Sequence, residues 1–355
     1  MNSTPTISAT ALTTGRSSGP PAPPAAITPP TGPPTSWRSC ANASPPPPPS
    51  NYSFVASEAL RRCGFKLDRA QVRRWAIENQ LAHPKPNAQP PAPVRRWQRS
   101  QIGELWQLDV SPHRWFPGSK RLFPMFNMLD DCSRLFVGSQ LYERETLLAY
   151  YDFLPAAFLE YGLPLELYVD FHSFFFTHVP DALTHLGQAL HFYGVSFRYA
   201  PTPQAKGKVE REHQFWQNRL PAYFASEQIA DLHQANLHLR DLRRHRNQHE
   251  VHRELQMRPQ HAWDTAQKQN RSVLRPVPHC PWWPFVWSQR TTIKVGDDGR
   301  VPIGAQRLRL AVPPRTKVVL CQHPSGHYSV LAAQPSHQSN PQVLFSNLPN
   351  SQPAP

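Results

Sequence analysis

Proline restricts this chain more than any other residue, because it locks φ and offers no N–H to a helix or a sheet. The 355 residues include 42 prolines, more than one compact fold can absorb, and most of the excess lies at the ends and between patterned stretches. Residues 1–51 are rich in Ser, Thr, Ala and Pro, finish in the run Pro45–Pro49, and carry no acidic residue. That composition buries too little apolar surface to offset its ordering entropy, so the segment is expected to be disordered. Residues 84–99 form a second proline-rich stretch and read as a linker. A third proline-rich link, Pro276–Pro284, precedes residues 285–333, and the polar stretch 334–355 reads as a disordered tail.

The segments between these breaks are patterned. In residues 52–83, Ser57–Cys63 reads as a short helix stopped by Gly64. Asp68 can cap a second helix with Val72, Trp75 and Ala76 on one face and Arg69, Arg73 and Arg74 elsewhere. Helix, glycine turn and arginine-bearing helix are the parts of a helix-turn-helix, with a plain basic hairpin as the alternative. Residues 100–225 alternate strands with helices in the order β-β-β-α-β-α-β-α, which predicts an α/β domain with a mixed sheet flanked by helices. Residues 226–275 are expected to form a basic helical extension, with Leu232, Ala235, Leu239 and Leu242 on its apolar stripe and Arg243 and Arg244 facing a DNA backbone. Residues 285–333 read as five short strands around the hairpin signal Asp298-Gly299, a small β-barrel.

Charge narrows the choice of partner. The formal net charge of +14 and pI of about 9.9 favour a polyanion, with nucleic acid ahead of a membrane. Five scattered cysteines form neither a disulfide framework nor a paired zinc motif. No apolar run reaches spanning length and no signal-peptide core stands at the N-terminus, so a soluble cytoplasmic protein is expected, without a membrane partner.

Three carboxylates stand where chemistry would need them. Asp109 lies within the strand Leu105–Val110, and Asp170 ends the strand Leu165–Val169. Glu210 follows Lys206, Gly207 and Lys208 in the first turn of a helix whose Val209, His213, Trp216 and Leu220 recur at helical spacing. If strands one and four are neighbours, both aspartates project at one sheet edge, and the helix can bring Glu210 beside them. Hard cations prefer oxygen ligands, so such a trio can hold two Mg²⁺ (or Mn²⁺) ions for in-line phosphoryl transfer. Lys206, Lys208 and Arg211 are candidates to hold a phosphate backbone nearby. Taken singly, each acid has a plainer role: Asp109 an ion pair, Asp170 a turn cap, Glu210 a helix-dipole residue. Asp130 and Asp131 read as turn residues and stand second as ligands. His172 is a possible auxiliary contact to phosphate.

These residues resemble a known family. Gly103–Asp109, Leu129–Arg134, Tyr168–Ser173 and above all Gln204-Ala205-Lys206-Gly207-Lys208-Val209-Glu210-Arg211 are similar to bacterial insertion-sequence transposases with a retroviral-integrase-type core. The resemblance implies an RNase H-like fold, a catalytic triad of Asp109, Asp170 and Glu210, and Mg²⁺-dependent cutting at transposon ends. Attack of the freed 3′-OH on double-stranded target DNA would follow, carried out by a homo-oligomer on DNA in a bacterial, nucleoid-associated setting. Phe171 departs from the family pattern, which usually has a polar or basic residue after the second aspartate. The rival functions are a non-catalytic DNA-binding derivative and a nuclease of the same fold that cuts without joining.

Overall fold

The computed structural model describes residues 52–82, 98–179, 182–200, 207–304 and 306–348. The expectations for residues 1–51, for the linker before residue 98, for Lys206 and for residues 349–355 lie outside the described residues. Five strands form the central sheet: β1 (Leu105–His113), β2 (Phe123–Asp130), β3 (Phe136–Leu141), β4 (Glu166–Val169) and β5 (Ser196–Tyr199). Their order is β3-β2-β1-β4-β5. β1, β2 and β3 pair antiparallel, while β1 with β4 and β4 with β5 are parallel. Helices α3 (Leu147–Tyr161) and α4 (His185–Phe192) connect β3 to β4 and β4 to β5. The two remaining N-terminal helices are α1 (Tyr52–Cys63) and α2 (Arg69–Glu78). This mixed sheet with its crossover helices is the RNase H-like arrangement of an α/β core.

Alternation along the strands gives the sheet two packed faces. Trp106, Leu108, Phe126, Met128 and Val137 face α3 and α4 and join Tyr150, Leu154, Phe158 and Leu186 in one core. Met125, Leu129, Phe136 and Leu141 face the other way. There they meet α5 (Gly207–Gln217), α6 (Leu220–Ser226) and α7 (Leu232–His249) through Trp216, Phe224, Leu239 and Leu242. Phe54 of α1 enters this second core, and Arg62 pairs with Glu227, so the N-terminal hairpin is docked on the core. Its turn is the expected one: Gly64 takes φ +72°, and Asp68 and Gln71 form a reciprocal capping box. Arg69, Arg73 and Arg74 are exposed.

β3 is an edge strand, and α7 covers its edge with side chains. Asn236 accepts from Leu141 N at 2.8 Å and donates to Leu141 O at 2.9 Å. Asn247 does the same for Phe136, at 3.0 Å in both directions. Between them Arg243 donates to Val137 O at 2.8 Å and to Glu160 Oε2 at 2.8 Å. The spacing of seven and then four residues keeps all three on one side of the helix. Arg243 therefore departs from the sequence expectation: it is buried against the strand edge and does not present its guanidinium to DNA. Arg244, next along, is exposed, with Asp241 3.9 Å away.

The basic extension contains two helices: α7 ends at His249, a bridge joins His252 to Met257, and α8 (Pro259–Lys268) restarts at a proline suited to a first helical turn. Two other expectations are corrected. After α9 (Trp283–Val286), the C-terminal strands form no closed barrel among the described residues. β6 (Gln289–Lys294), β9 (Lys317–Gln322), β10 (Tyr328–Leu331) and β11 (Val343–Ser346) make one open sheet, and β7 (Arg300–Ile303) with β8 (Gln306–Arg309) a separate hairpin. β11 lies in the stretch expected to be a disordered tail; it is held by pairing with β10. Trp283, Phe285 and Trp287 join Tyr151, Phe158 and Tyr193 in the first core, which is how this sheet attaches.

Because Asn236 and Asn247 each satisfy both polar groups of a strand residue, removing either leaves a donor and an acceptor unpaired in a dry contact. Asn247→Ala is expected to cost about 2 kcal/mol and Asn236→Ala a similar amount, whereas Arg244→Ala changes stability by less than about 0.5 kcal/mol. Urea unfolding midpoints of the three variants check this ordering.

Candidate active site

β1 and β4 are adjacent parallel strands, and their register runs as far as Gln107 opposite Tyr168. Asp109 and Asp170 each lie two positions beyond that pair. Neighbouring strands lie about 4.8 Å apart, and residues in register point to the same face. Asp170 is the first residue beyond β4 and is exposed; one of its carboxylate oxygens, Oδ1, accepts from His172 N at 3.1 Å. Burial pushes the Tyr150 hydroxyl far above the usual tyrosine range, helped by its hydrogen-bond acceptor Glu145 and, to a smaller extent, by the charges of Asp170 and Asp109.

Glu210 shares a cleft with Asp109 from α5. Val209, His213 and Trp216 are buried against the sheet, and Glu210, one step off that stripe, is exposed. Asp109, Ser111, Glu210, Arg211, His213 and Gln217 all line one open cleft of about 490 Å³. Gln217 donates to Ser111 Oγ at 3.0 Å across it. Asp170 is not among the residues lining that cleft. The donor set is all carboxylate oxygen, the kind a hard cation takes. Among the described residues no three His, Cys, Asp or Glu side chains are close enough to hold an ion as they stand. An open site of one or two carboxylates suits Mg²⁺, which keeps several waters and completes its shell with substrate phosphates. The residues fit the ion.

The runner-up acids, Asp130 and Asp131, are fully buried in the β2–β3 turn and hold structure. Asp130 accepts from Gly103 N, Ser133 N and Ser133 Oγ, and burial pushes its carboxyl up to about 6. Asp131 accepts from Arg99 N at 2.8 Å, Gln107 Nε2 at 2.6 Å and Lys208 Nζ at 2.5 Å. Arg134, at φ +60°, closes the turn by donating its N–H to Asp130 O.

This corrects the reading of Lys208. Its ammonium is engaged by Asp131 and largely covered, and burial holds it below the usual lysine range. Lys208 anchors the start of α5 to the turn and to β1. Arg211 is half exposed on the cleft and pairs with Glu254. His172 packs its ring against Phe174, and Phe171 stacks on Tyr199 at 5.2 Å with more than half its surface exposed. Two residues of the site went unnoticed as site residues in the sequence. Asn127 and Ser139 sit on β2 and β3 in register with Asp109.

Asp109 thus lies midway along β1, Asp170 just beyond β4, and Glu210 in the first turn of α5. No family model matches the chain. It is 36% identical over 145 residues to the transposase for insertion sequence IS1202 of Streptococcus pneumoniae, covering 39% of this chain and 30% of that one. It is 28% identical over 193 residues to the putative transposase y4bF of Sinorhizobium fredii, covering 50% of this chain and 42% of that one. The matched region thus spans less than half the length of these relatives. Among solved structures, the HTLV-2 integrase catalytic core domain, determined with magnesium, is 19% identical at TM-score 0.34, covering 44% of this chain and 94% of its own. A chain of a simian T-cell lymphotropic virus intasome structure is 16% identical at TM-score 0.42, covering 83% and 95%. Over the matched stretches the chain is similar to transposases of bacterial origin.

Removing one partner from a buried ion pair strands the other. Lys208→Ala is therefore expected to destabilise the fold by about 3 kcal/mol, while Arg211→Ala, at a half-exposed pair, costs less than about 1 kcal/mol. Chemical denaturation at pH 7 separates the two.

Proposed function

We propose that the chain is a DNA transposase that cuts strands at the ends of its element and joins the freed 3′-OH to target DNA. The observation supporting this most directly is the meeting of Asp109 and Glu210 on one open cleft, with Asp170 just beyond the strand that neighbours β1. In this reading all three carboxylates are metal ligands. Divalent ions, when bound, activate an attacking oxygen and stabilise the leaving one. The chain supplies the rest. β1, β4 and α5 hold the acids on rigid backbone, so the phosphodiester meets them without reorganisation. The sequence neighbours Lys206 and Arg211 supply positive charge to the phosphates near the scissile bond. Arg69, Arg73, Arg74 and Arg244, outside the cleft, carry sequence-independent attraction to the duplex. No covalent protein–DNA intermediate is required, since water and then the 3′-OH are the nucleophiles. Joining two ends to a target calls for more than one copy on the DNA.

The test uses duplexes taken from the DNA flanking the chain's own coding sequence, a supercoiled target, and Mg²⁺ or Mn²⁺. Cleavage and joined products are expected from the wild type. Asp109→Asn, Asp170→Asn and Glu210→Gln are each expected to lower both by at least about a hundredfold while DNA binding persists. Cleavage without joined product would assign a nuclease, and binding without cleavage a repurposed DNA-binding protein; either ends the transposase reading.

A further inference from the structure

Asp109, Asn127 and Ser139 are cross-strand partners on β1, β2 and β3, so their side chains lie in a row on the face that α5 covers. His213 of α5 comes down on that row and is 4% exposed. Ser139 Oγ donates to Asn127 Oδ1 at 2.8 Å, which turns the amide nitrogen of Asn127 toward the helix. Asn127 Nδ2 stands 2.9 Å from His213 Nδ1. An amide nitrogen only donates, so Nδ1 must be the accepting nitrogen and the ring proton sits on Nε2. Nε2 is 2.9 Å from Asp109 Oδ2, a short contact off the ideal hydrogen-bond line, and it has no aligned acceptor among the described residues. A small turn of the Asp109 carboxylate completes the bond.

We infer that His213 is a positioning residue for Asp109, set in its donating tautomer by Asn127 and Ser139. The inference rests on the reading of Asp109 as a metal ligand. A core histidine with no role beyond packing has no need of a fixed tautomer, nor of the hydrogen-bonded pair Asn127 and Ser139 beside it. Here they fix which nitrogen faces the acid. The Nε2–H holds one carboxylate oxygen and so sets the direction in which the carboxylate presents itself to the cleft. Groups that orient a ligand in this way are worth roughly 10–100-fold in metal affinity.

Two measurements on the full chain test it. In ¹⁵N-histidine spectra, with the His213 signals identified by their loss in His213→Gln, the wild type is expected to show the Nε2–H tautomer, and Asn127→Ala a mixture. An Nδ1–H ring in the wild type overturns the relay, whatever the metal does. Calorimetric titration with Mg²⁺ then compares His213→Ala with His213→Gln, whose amide nitrogen reaches the position of Nε2. Binding is expected to weaken about tenfold in the first and to recover to within about threefold of wild type in the second. Wild-type affinity in His213→Ala, or equal loss in both variants, overturns the positioning role and leaves the proposed function standing. If the wild type itself does not bind Mg²⁺, the metal reading fails, and the tautomer measurement still judges the relay.

Discussion

The carboxylate of Asp131 ties together the segments that make the cleft. It accepts from the backbone before β1, from Gln107 on β1 and from Lys208 at the start of α5, while itself lying in the β2–β3 turn. A fully buried anion is tolerable only with such a set of donors, because each missing partner exposes it to the full desolvation penalty. Lys208 is the link that matters for the cleft. It fixes the first turn of α5 two residues before Glu210 and one turn before His213. The position of Glu210 is therefore tied to a buried acid in the turn after β2.

The polar residues on the α5 face of the sheet follow a division of labour. Gln107 and Asp109 are two apart on β1 and point the same way, one toward the anchoring anion and the other toward the cleft. Asn127 and Ser139 extend the line of Asp109 across the sheet, Asn127 fully buried and Ser139 half-buried. Met125, Leu129 and Trp216 belong to the apolar core on this face. A buried amide such as that of Asn127 is costly to leave without its hydrogen bonds.

Much of this was legible from local pattern. The three-strand meander, the crossover helices and the buried stripe of α5 follow from periods of two and of about 3.6, and Asp68 and Gly64 marked the N-terminal hairpin correctly. Strands one and four are adjacent, as the sequence reading assumed. What local pattern missed was pairing at long range. Lys208 and Arg243 look like free cations in sequence because their partners, Asp131 and the β3 carbonyls, lie 77 and 106 residues away. β11 was missed because a four-residue strand in a polar stretch is stabilised by its neighbour β10 and by little of its own. Asn127 gave a weak signal, an amide amid apolar residues, whose meaning appears only beside His213.

The covering of β3 by α7 has a consequence for how the chain is made. Leu141 leaves the ribosome 95 residues ahead of Asn236, the side chain that satisfies its outer N–H and C=O. At synthesis rates of about 5–20 residues per second, that edge stays open for roughly 5–20 s. During this interval a nascent chain offers bare amides to any extended neighbour, including another nascent copy on the same message. Slower translation lengthens the interval, so yield of soluble protein becomes a matter of timing as much as of final stability.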